Sequence, residues 1–218
     1  MNDIKVIAPG IEIVDAPDYG DVLRKIERIG RVCYKSEDKI GEDTAEGFIR
    51  SLIKRGHESV IEHASITVLV TCDRGVSHEI VRHRIASYSQ ESTRYCNYTG
   101  EKFGSHISVI DPKTGFGWDL DNPNDEVKYH IWIKAMEDAD RHYQDMIKVG
   151  AKPDEARSVL PNSLKTEIAM TMNLREWRHF IRLRESRAAH PQMREVAQMI
   201  GSEFRVKYPV FFEDLMEN

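Results

Sequence analysis

The chain has 218 residues, of which 40% are hydrophobic and 31% are charged, and its net charge at pH 7 is −5. This composition is typical of a globular protein, and the length suits one compact domain spanning residues 1–218. An acidic net charge argues against a protein whose whole surface neutralises nucleic-acid phosphates. No segment has the ~20 apolar residues of a membrane span and the N-terminus lacks a secretion signal, so we expect a cytoplasmic protein that binds no membrane.

The first third of the chain predicts a strand, two helices and a second strand. The pattern favours a short or edge strand from Lys5 to Val14, interrupted by Pro9 and Gly10. Apolar residues at helical spacing follow, and Ser65 to Thr71 (SITVLVT) has the β-branched composition of a buried strand. The two predicted helices are Asp21–Tyr34 and Asp43–Arg55, with Gly56 placed to end the second.

The rest of the chain predicts more helices than strands. Ile85 to Gly100 is rich in Ser, Thr, Tyr and Asn, which indicates an irregular polar loop. The other predicted elements are helices Val76–Arg84, Asp125–Val149, Leu174–Arg184 and Gln192–Lys207, a helix opened by Pro153, and a strand Lys165–Met172. No regular βαβ rhythm or glycine-rich phosphate loop is present, which argues against a Rossmann domain and favours an α+β or irregular α/β class.

The three cysteines, Cys33, Cys72 and Cys96, show no paired C-x-x-C spacing. We therefore expect reduced thiols and no disulfide framework or zinc knuckle.

The segment from Arg82 to Arg94, RHRIASYSQESTR, concentrates arginines, hydroxyl groups, a histidine and a glutamine. Guanidinium groups bind phosphate through two parallel hydrogen bonds, so this donor set fits a phosphorylated small molecule. The alternative is a solvated helix end in which Arg82, Arg84 and Glu91 pair at the surface.

A second basic segment, LREWRHFIRLRESR, begins at Leu174. At ~100° per residue, Arg175, Arg178, His179 and Arg182 fall on one side of the predicted helix. Arg184 falls among the apolar residues, where its charge needs an anionic or carbonyl-rich partner. The alternatives are that the helix ends first or that Arg184 pairs with a core carboxylate.

The segment GHESVIEH contains His57, Glu58, Glu62 and His63 and could suggest a metal site. Zinc-binding helices place two histidines four residues apart, whereas His57 and His63 are six apart. We therefore predict polar capping or ligand contacts here and no metal.

In combination, these segments resemble the motifs of the flavin-dependent thymidylate synthases. The signature is RHR followed by seven residues and a serine, here Arg82 to Ser92. Gly56-His57 with Ser59 and Glu62-His63 is similar to the upstream motif, and Arg157, Asn173, Arg175 and Arg184 to the downstream ones. The ordered matches extend over most of the chain, which makes the resemblance specific.

The resemblance implies an α+β fold with a central antiparallel sheet flanked by helices, and a homotetramer with active sites at subunit interfaces. It implies FAD as cofactor and dUMP, methylenetetrahydrofolate and NADPH as substrates, with dTMP formed by reductive methylation and without an enzyme nucleophile. The implied flavin contacts are Ser59, Arg82, His83, Arg84, Gln90, Asn173, Arg175 and His179. The implied nucleotide contacts are Glu79, Arg82, Gln90, Glu91, Ser92, Thr93, Arg94, Arg157 and Arg184, with Arg94 and Arg157 at the phosphate and Arg184 as the catalytic residue on the uracil.

Two competing classes remain at this point. One is a nucleic-acid-binding protein that stacks bases on Tyr88, Tyr95 and Tyr98 and binds phosphates through the arginines of the predicted helix Leu174–Arg184. The other is an arginine-rich surface that serves only oligomer assembly.

Overall fold

The computed structural model describes residues 4–215, and within that range an antiparallel sheet forms the centre of the fold. Its four strands lie in the order β2-β3-β6-β4. In β3, Ile66, Val68, Val70 and Cys72 are buried while the intervening residues are not, as expected for a sheet with one face in the core. The strands are β2 (Gly10–Asp15), β3 (Ser65–Asp73), β4 (Ser87–Gln90) and β6 (Lys165–Asn173).

A second, two-stranded sheet pairs β1 (Lys5–Ile7) with β5 (Ser108–Ile110) in parallel. The single strand predicted for Lys5–Val14 is therefore two strands in different sheets. Pro9 separates them, and proline has no N–H to donate to a sheet ladder.

Helices α7 (Leu174–Arg184) and α8 (Pro191–Lys207) pack on the buried face of the large sheet. The other helices within residues 4–215 are α1 (Tyr19–Tyr34), α2 (Ala45–Lys54), α3 (Arg74–Ile80), α4 (Lys113–Phe116), α5 (Pro123–Lys148), α6 (Pro153–Ala156) and α9 (Pro209–Phe212). The main core packs β3 and β6 against α7 and α8 through Trp177, Phe180 and Phe204. A smaller core lies under α5, around Tyr98, Met136 and Tyr143.

The predicted fold class is confirmed, and α7 has the predicted bounds. Two local predictions were wrong. The polar loop predicted for Ile85–Gly100 contains β4, which pairs with β6 in the register Ser87 to Thr171. The helix predicted for Val76–Arg84 begins at Arg74 and ends at Ile80, so the arginine-histidine motif lies in the turn that follows α3.

A third correction concerns Arg178, which was predicted to share the polar side of α7 with Arg175, His179 and Arg182. Its side chain is 1% exposed. It donates to Asp214 (2.6 and 2.7 Å), to Glu58 (3.2 Å) and to the carbonyl of Phe211. The buried face of α7 therefore includes a charged residue that is neutralised from two other parts of the chain.

Candidate functional site

The candidate site lies where α3 and α7 meet. Each helix follows a central strand directly and is capped by the last residue of that strand. Asp73 accepts from the N–H of Val76 at 2.6 Å, and Asn173 accepts from the N–H of Glu176 at 2.9 Å. Because β3 and β6 are antiparallel, the two helices start from opposite ends of the strand pair, and their later parts come together.

Arg184, at the end of α7, is the central cation of this junction. Its Nη1 donates to Glu79 Oε2 at 2.8 Å, its Nη2 to the carbonyl of Glu79 at 3.2 Å, and its Nε to His83 Nε2 at 3.0 Å. The side chain is 15% exposed. Of the alternatives considered from sequence, pairing with a carboxylate is the one observed, although the carboxylate itself is partly exposed.

His83 connects Arg184 to the start of α7. Its ring is buried, packs against Phe180 with 4.9 Å between ring centroids, and faces Glu176 Oε1 with Nδ1 at 3.4 Å. Burial, followed by the charges of Arg184 and His179, lowers the pKa of His83 to about 4. The imidazole is therefore neutral at pH 7.

His83, Glu176 and His179 are a group in which one ligand atom from each residue lies within 4.8 Å of the others. A metal would need a free lone pair on His83. The Arg184 N–H already occupies Nε2, which places the proton of the neutral ring on Nδ1, facing Glu176. The positive charge of the Arg184 guanidinium also disfavours a metal ion at this position. The group is therefore better arranged to hold Arg184 than to bind a metal.

A cleft of about 420 Å³ lies beside this junction. Glu176 belongs both to its wall and to the contact with His83. The lining residues are Glu58, Glu62, Ile85, Asn173, Arg175, Glu176, His179 and Arg182. The wall therefore combines cationic side chains and an exposed apolar residue with three carboxylates, one of which, Glu62, accepts a hydrogen bond from Arg175 at 2.6 Å.

The end of β4 and the loop that follows it form a separate polar surface, which Gln90 ties to α3 and β6. Gln90 donates from Nε2 to Ser77 Oγ at 2.9 Å and to Thr166 Oγ1 at 3.2 Å. Arg157 donates to Thr93 Oγ1 at 3.4 Å, and Arg94 is exposed nearby in sequence. The arrangement brings the predicted phosphate residue Arg157 to the predicted nucleotide loop.

The predicted site residues differ in whether they contact other protein groups. Glu91 accepts from Tyr98 and from Lys165, both at 2.9 Å, so it does not pair with Arg82 or Arg84. Neither of those arginines has an ion-pair partner among residues 4–215. Ser59 is exposed in the 3-10 helix Glu58–His63, and Ser92 Oγ accepts from the Arg94 N–H at 3.3 Å.

The tyrosines do not form the stacking platform that a nucleic-acid-binding protein would need. Tyr98 is 4% exposed, and the Tyr88 hydroxyl donates to the carbonyls of Ile80 and His83. Tyr95, in contrast, is 78% exposed. Tyr88 and Tyr98 therefore have a structural role, and only Tyr95 of the three presents its ring to a ligand.

Glu176 is the residue of the site that sequence reasoning missed. It lies in an arginine-rich helix, where a glutamate is expected to pair along the surface, yet it is 8% exposed. Burial raises its pKa. Its place four residues before Phe180, on the same side of the helix, was the available signal.

Comparison with known proteins places the chain in a family. Residues 17–210 match the family described as thymidylate synthase complementing protein (Thy1). Flavin-dependent thymidylate synthases from Pyrococcus abyssi and Geobacter sulfurreducens are 36% and 32% identical to it over 164 and 191 residues. These matches cover 75% and 84% of this chain, and 64% and 78% of the two relatives.

A solved structure agrees with the sequence match. A UMP/dUMP methylase, PolB, from Streptomyces cacaoi, bound with 5-Br dUMP, superposes with a TM-score of 0.79 at 27% identity. The superposition covers 96% of this chain and 95% of the other. The fold and the site thus define an α+β protein with a central antiparallel sheet and an arginine-centred junction between two helices. The chain belongs to the thymidylate synthase complementing protein family.

The chain spans about two thirds of the length of the Pyrococcus abyssi relative that it matches. Among residues 4–215, no helix is long and apolar enough to cross a membrane.

Proposed function

We propose that this chain is a flavin-dependent thymidylate synthase that methylates dUMP to dTMP, with methylenetetrahydrofolate as carbon donor, NADPH as reductant and FAD as cofactor. The observation that carries the proposal is the position of Arg184. A guanidinium held at three points beside the RHR motif is a fixed positive charge, and such a charge stabilises negative charge developing on a substrate ring. The names of the relatives and the dUMP analogue in PolB support a pyrimidine nucleotide as that substrate.

The cleft beside Arg184 has the donor set that a flavin dinucleotide needs. Arg175, Arg182 and His179 offer cationic or polar groups, and Ile85 is 66% exposed, so it can contact an aromatic ring. We assign FAD to this cleft, with Arg175, His179 and Asn173 of its wall as contacts. The motifs add Ser59, Arg82, Arg84 and Gln90 to this assignment. When bound, FAD supplies the hydride chemistry of the reaction.

The nucleotide is assigned to the loop after β4. We place its phosphate at Arg94 and Arg157, close to Ser92 and Thr93, because both arginines are exposed and Arg157 reaches the Thr93 hydroxyl. We also assign Glu79, Arg82, Gln90 and Glu91 to the nucleotide, with Arg184 at the uracil. The homotetramer with sites shared between subunits is part of the same proposal.

A mechanism without an enzyme nucleophile fits the side chains present. Cys72 is buried, and burial raises the pKa of its thiol, so little thiolate is available. The Ser92 hydroxyl accepts a backbone N–H and is hydrogen-bonded to no histidine in the part of the chain described. The protein's role is then to orient the substrates and to supply fixed charge.

The proposal is tested by loading the purified protein with FAD and measuring NADPH oxidation and dUMP methylation, with UMP assayed in parallel. We expect flavin absorbance, NADPH oxidation and dTMP formation. An Arg24→Ala variant, which removes an exposed arginine on α1, is the control and should keep all three. Protein that gains no flavin signal on titration with FAD would contradict the assignment. Methylation of UMP but not of dUMP would identify UMP as the substrate in place of dUMP.

Glu62→Gln is expected to tighten FAD binding by roughly 2- to 10-fold, the range of an exposed or partly buried charge contact. Glu62 holds Arg175 at 2.6 Å, in the place where a flavin phosphate would compete for the guanidinium, and it adds negative charge to the cleft. Fluorescence titration measures the change. Glu46→Gln, which removes an exposed carboxylate paired with Arg50 on α2, is the matched control and should leave FAD affinity unchanged. Weaker FAD binding in Glu62→Gln would show that this carboxylate supports the cofactor.

A further inference from the structure

We infer that His83 acts through Arg184, as the residue that fixes the orientation of its guanidinium. This inference rests on the proposed function, because it assigns a role to His83 in the methylation step. It differs from a direct flavin contact, the role that the RHR resemblance implies for this residue.

The hydrogen bonds of the imidazole give the first argument. Nε2 accepts from the Nε–H of Arg184 at 3.0 Å, and Nδ1 faces Glu176 Oε1 at 3.4 Å. Both ring nitrogens are therefore directed at protein groups. The ring is 4% exposed and packs against Phe180, so it has little surface left for a ligand.

The guanidinium gives the second argument. Arginine carries five N–H groups, and three of those on Arg184 are taken by His83 and Glu79. The Nε contact and the two Nη contacts lie on different edges of the planar group, so together they fix both its position and its tilt. The two remaining N–H groups are left for a ligand in one orientation.

Glu176 sets the form of the imidazole that this role requires. A histidine that accepts from Arg184 must be neutral with its proton on Nδ1, and the carboxylate of Glu176 lies on that side of the ring. Because Glu176 also lines the cleft, His83 links the cleft to Arg184. This contact explains why a buried glutamate belongs to the site.

A double-mutant cycle separates positioning from direct contact. His83→Gln is measured alone and in the Arg184→Lys background, by single-turnover methylation of dUMP with FAD-loaded, NADPH-reduced enzyme. If His83 acts through Arg184, His83→Gln should lower the methylation rate by at least about 10-fold alone and by less than about 2-fold in the Arg184→Lys background, because neighbouring sites that act as a unit are not additive. The rate of flavin reduction by NADPH should change by less than about 2-fold, since that step does not use the uracil.

His179→Gln is the matched control, because His179 also lies against His83, with ring centroids 5.7 Å apart, but makes no hydrogen bond to Arg184. Its cost should be the same in both backgrounds. An equal cost of His83→Gln in both backgrounds would overturn the inference. If the unsubstituted protein neither reduces flavin nor methylates dUMP, the proposed function fails instead.

The tautomer gives a second readout that needs no activity. In histidine-labelled protein at pH 7, ¹⁵N correlation spectra should show His83 neutral and protonated on Nδ1, and Arg184→Lys should perturb the Nε2 resonance. A ring protonated on Nε2 would overturn the inference independently of any turnover, because such a nitrogen cannot accept from Arg184.

Discussion

Arg184→Lys is expected to lower dUMP methylation by about 100-fold or more, the scale of losing one preorganised electrostatic contact. Lysine keeps the positive charge but loses the planar group, and it has no equivalent of the Nε–H that His83 accepts. Its ammonium can still reach Glu79, so the charge stays near the site while its orientation is lost. Flavin reduction by NADPH should be much less affected, because that step needs no activated uracil.

The decisive measurement compares flavin reduction with nucleotide methylation in the same Arg184→Lys preparation. Arg28→Lys, at an exposed arginine on α1 outside the cleft, serves as the control for replacing an arginine by lysine. Equal losses in both steps, or no loss in either, would remove Arg184 from the role proposed for it.

Much of the fold could be predicted because its elements carry strong periodic signals. The buried strand β3 has β-branched residues in alternation, and α7 has an uninterrupted helical pattern that ends where the structure ends it. β4 could not be predicted in this way, since its residues Ser87 to Gln90 are polar and only half-buried. This edge strand is stabilised by pairing with β6, which is a property of the fold and not of its own sequence.

The sequence predicts which side chains of the site can donate hydrogen bonds, but it does not predict which groups they contact. The sequence indicates that Arg184 needs an anion, and it places Glu79 and His83 in the same motif region. It does not show that α3 and α7 bring them together, because that contact joins residues about one hundred positions apart. The pairing of Arg175 with Glu62 is equally non-local.

The burial of Arg178 is a second feature that the sequence did not predict, and it bears on the stability of the fold. On a helical projection it falls with Arg175 and His179, yet the end of the chain folds back and covers it. An arginine cannot lose its charge, so burial requires neutralisation by groups from elsewhere in the fold. Glu58 comes from the 3-10 helix before β3, and Asp214 follows α9.

Arg178→Met is expected to lower the free energy of unfolding by about 3 kcal/mol, the lower end of the range for removing one partner of a buried ion pair. The estimate takes the lower end because the carboxylate of Asp214 is 46% exposed and can be hydrated once the arginine is gone. Methionine fills much of the same volume, so the loss reports the missing charge and hydrogen bonds more than a cavity.

Acid titration adds a second readout for Arg178→Met. Burial raises the pKa of Asp214, but the hydrogen bonds and charge of Arg178 outweigh that effect, and the net pKa is lowered. A carboxyl group with a lowered folded-state pKa contributes stability that is present above its unfolded value, near 3.9, and lost as the pH falls through the folded value. That part of the acid-induced loss should be absent from the variant.

Urea unfolding at pH 7 and at a series of pH values from 4 down to 2 measures both effects, with Arg28→Met on α1 as the control for replacing an exposed arginine. Arg28 is exposed and forms no ion pair within residues 4–215, so its replacement should change the free energy of unfolding by no more than about 0.5 kcal/mol. The change in the free energy of unfolding and its dependence on pH together test the role of Arg178. A loss below about 1 kcal/mol in Arg178→Met, together with an unchanged loss of stability in acid, would contradict this prediction. It would mean that the carboxylates of Glu58 and Asp214 do not stabilise the fold through this arginine.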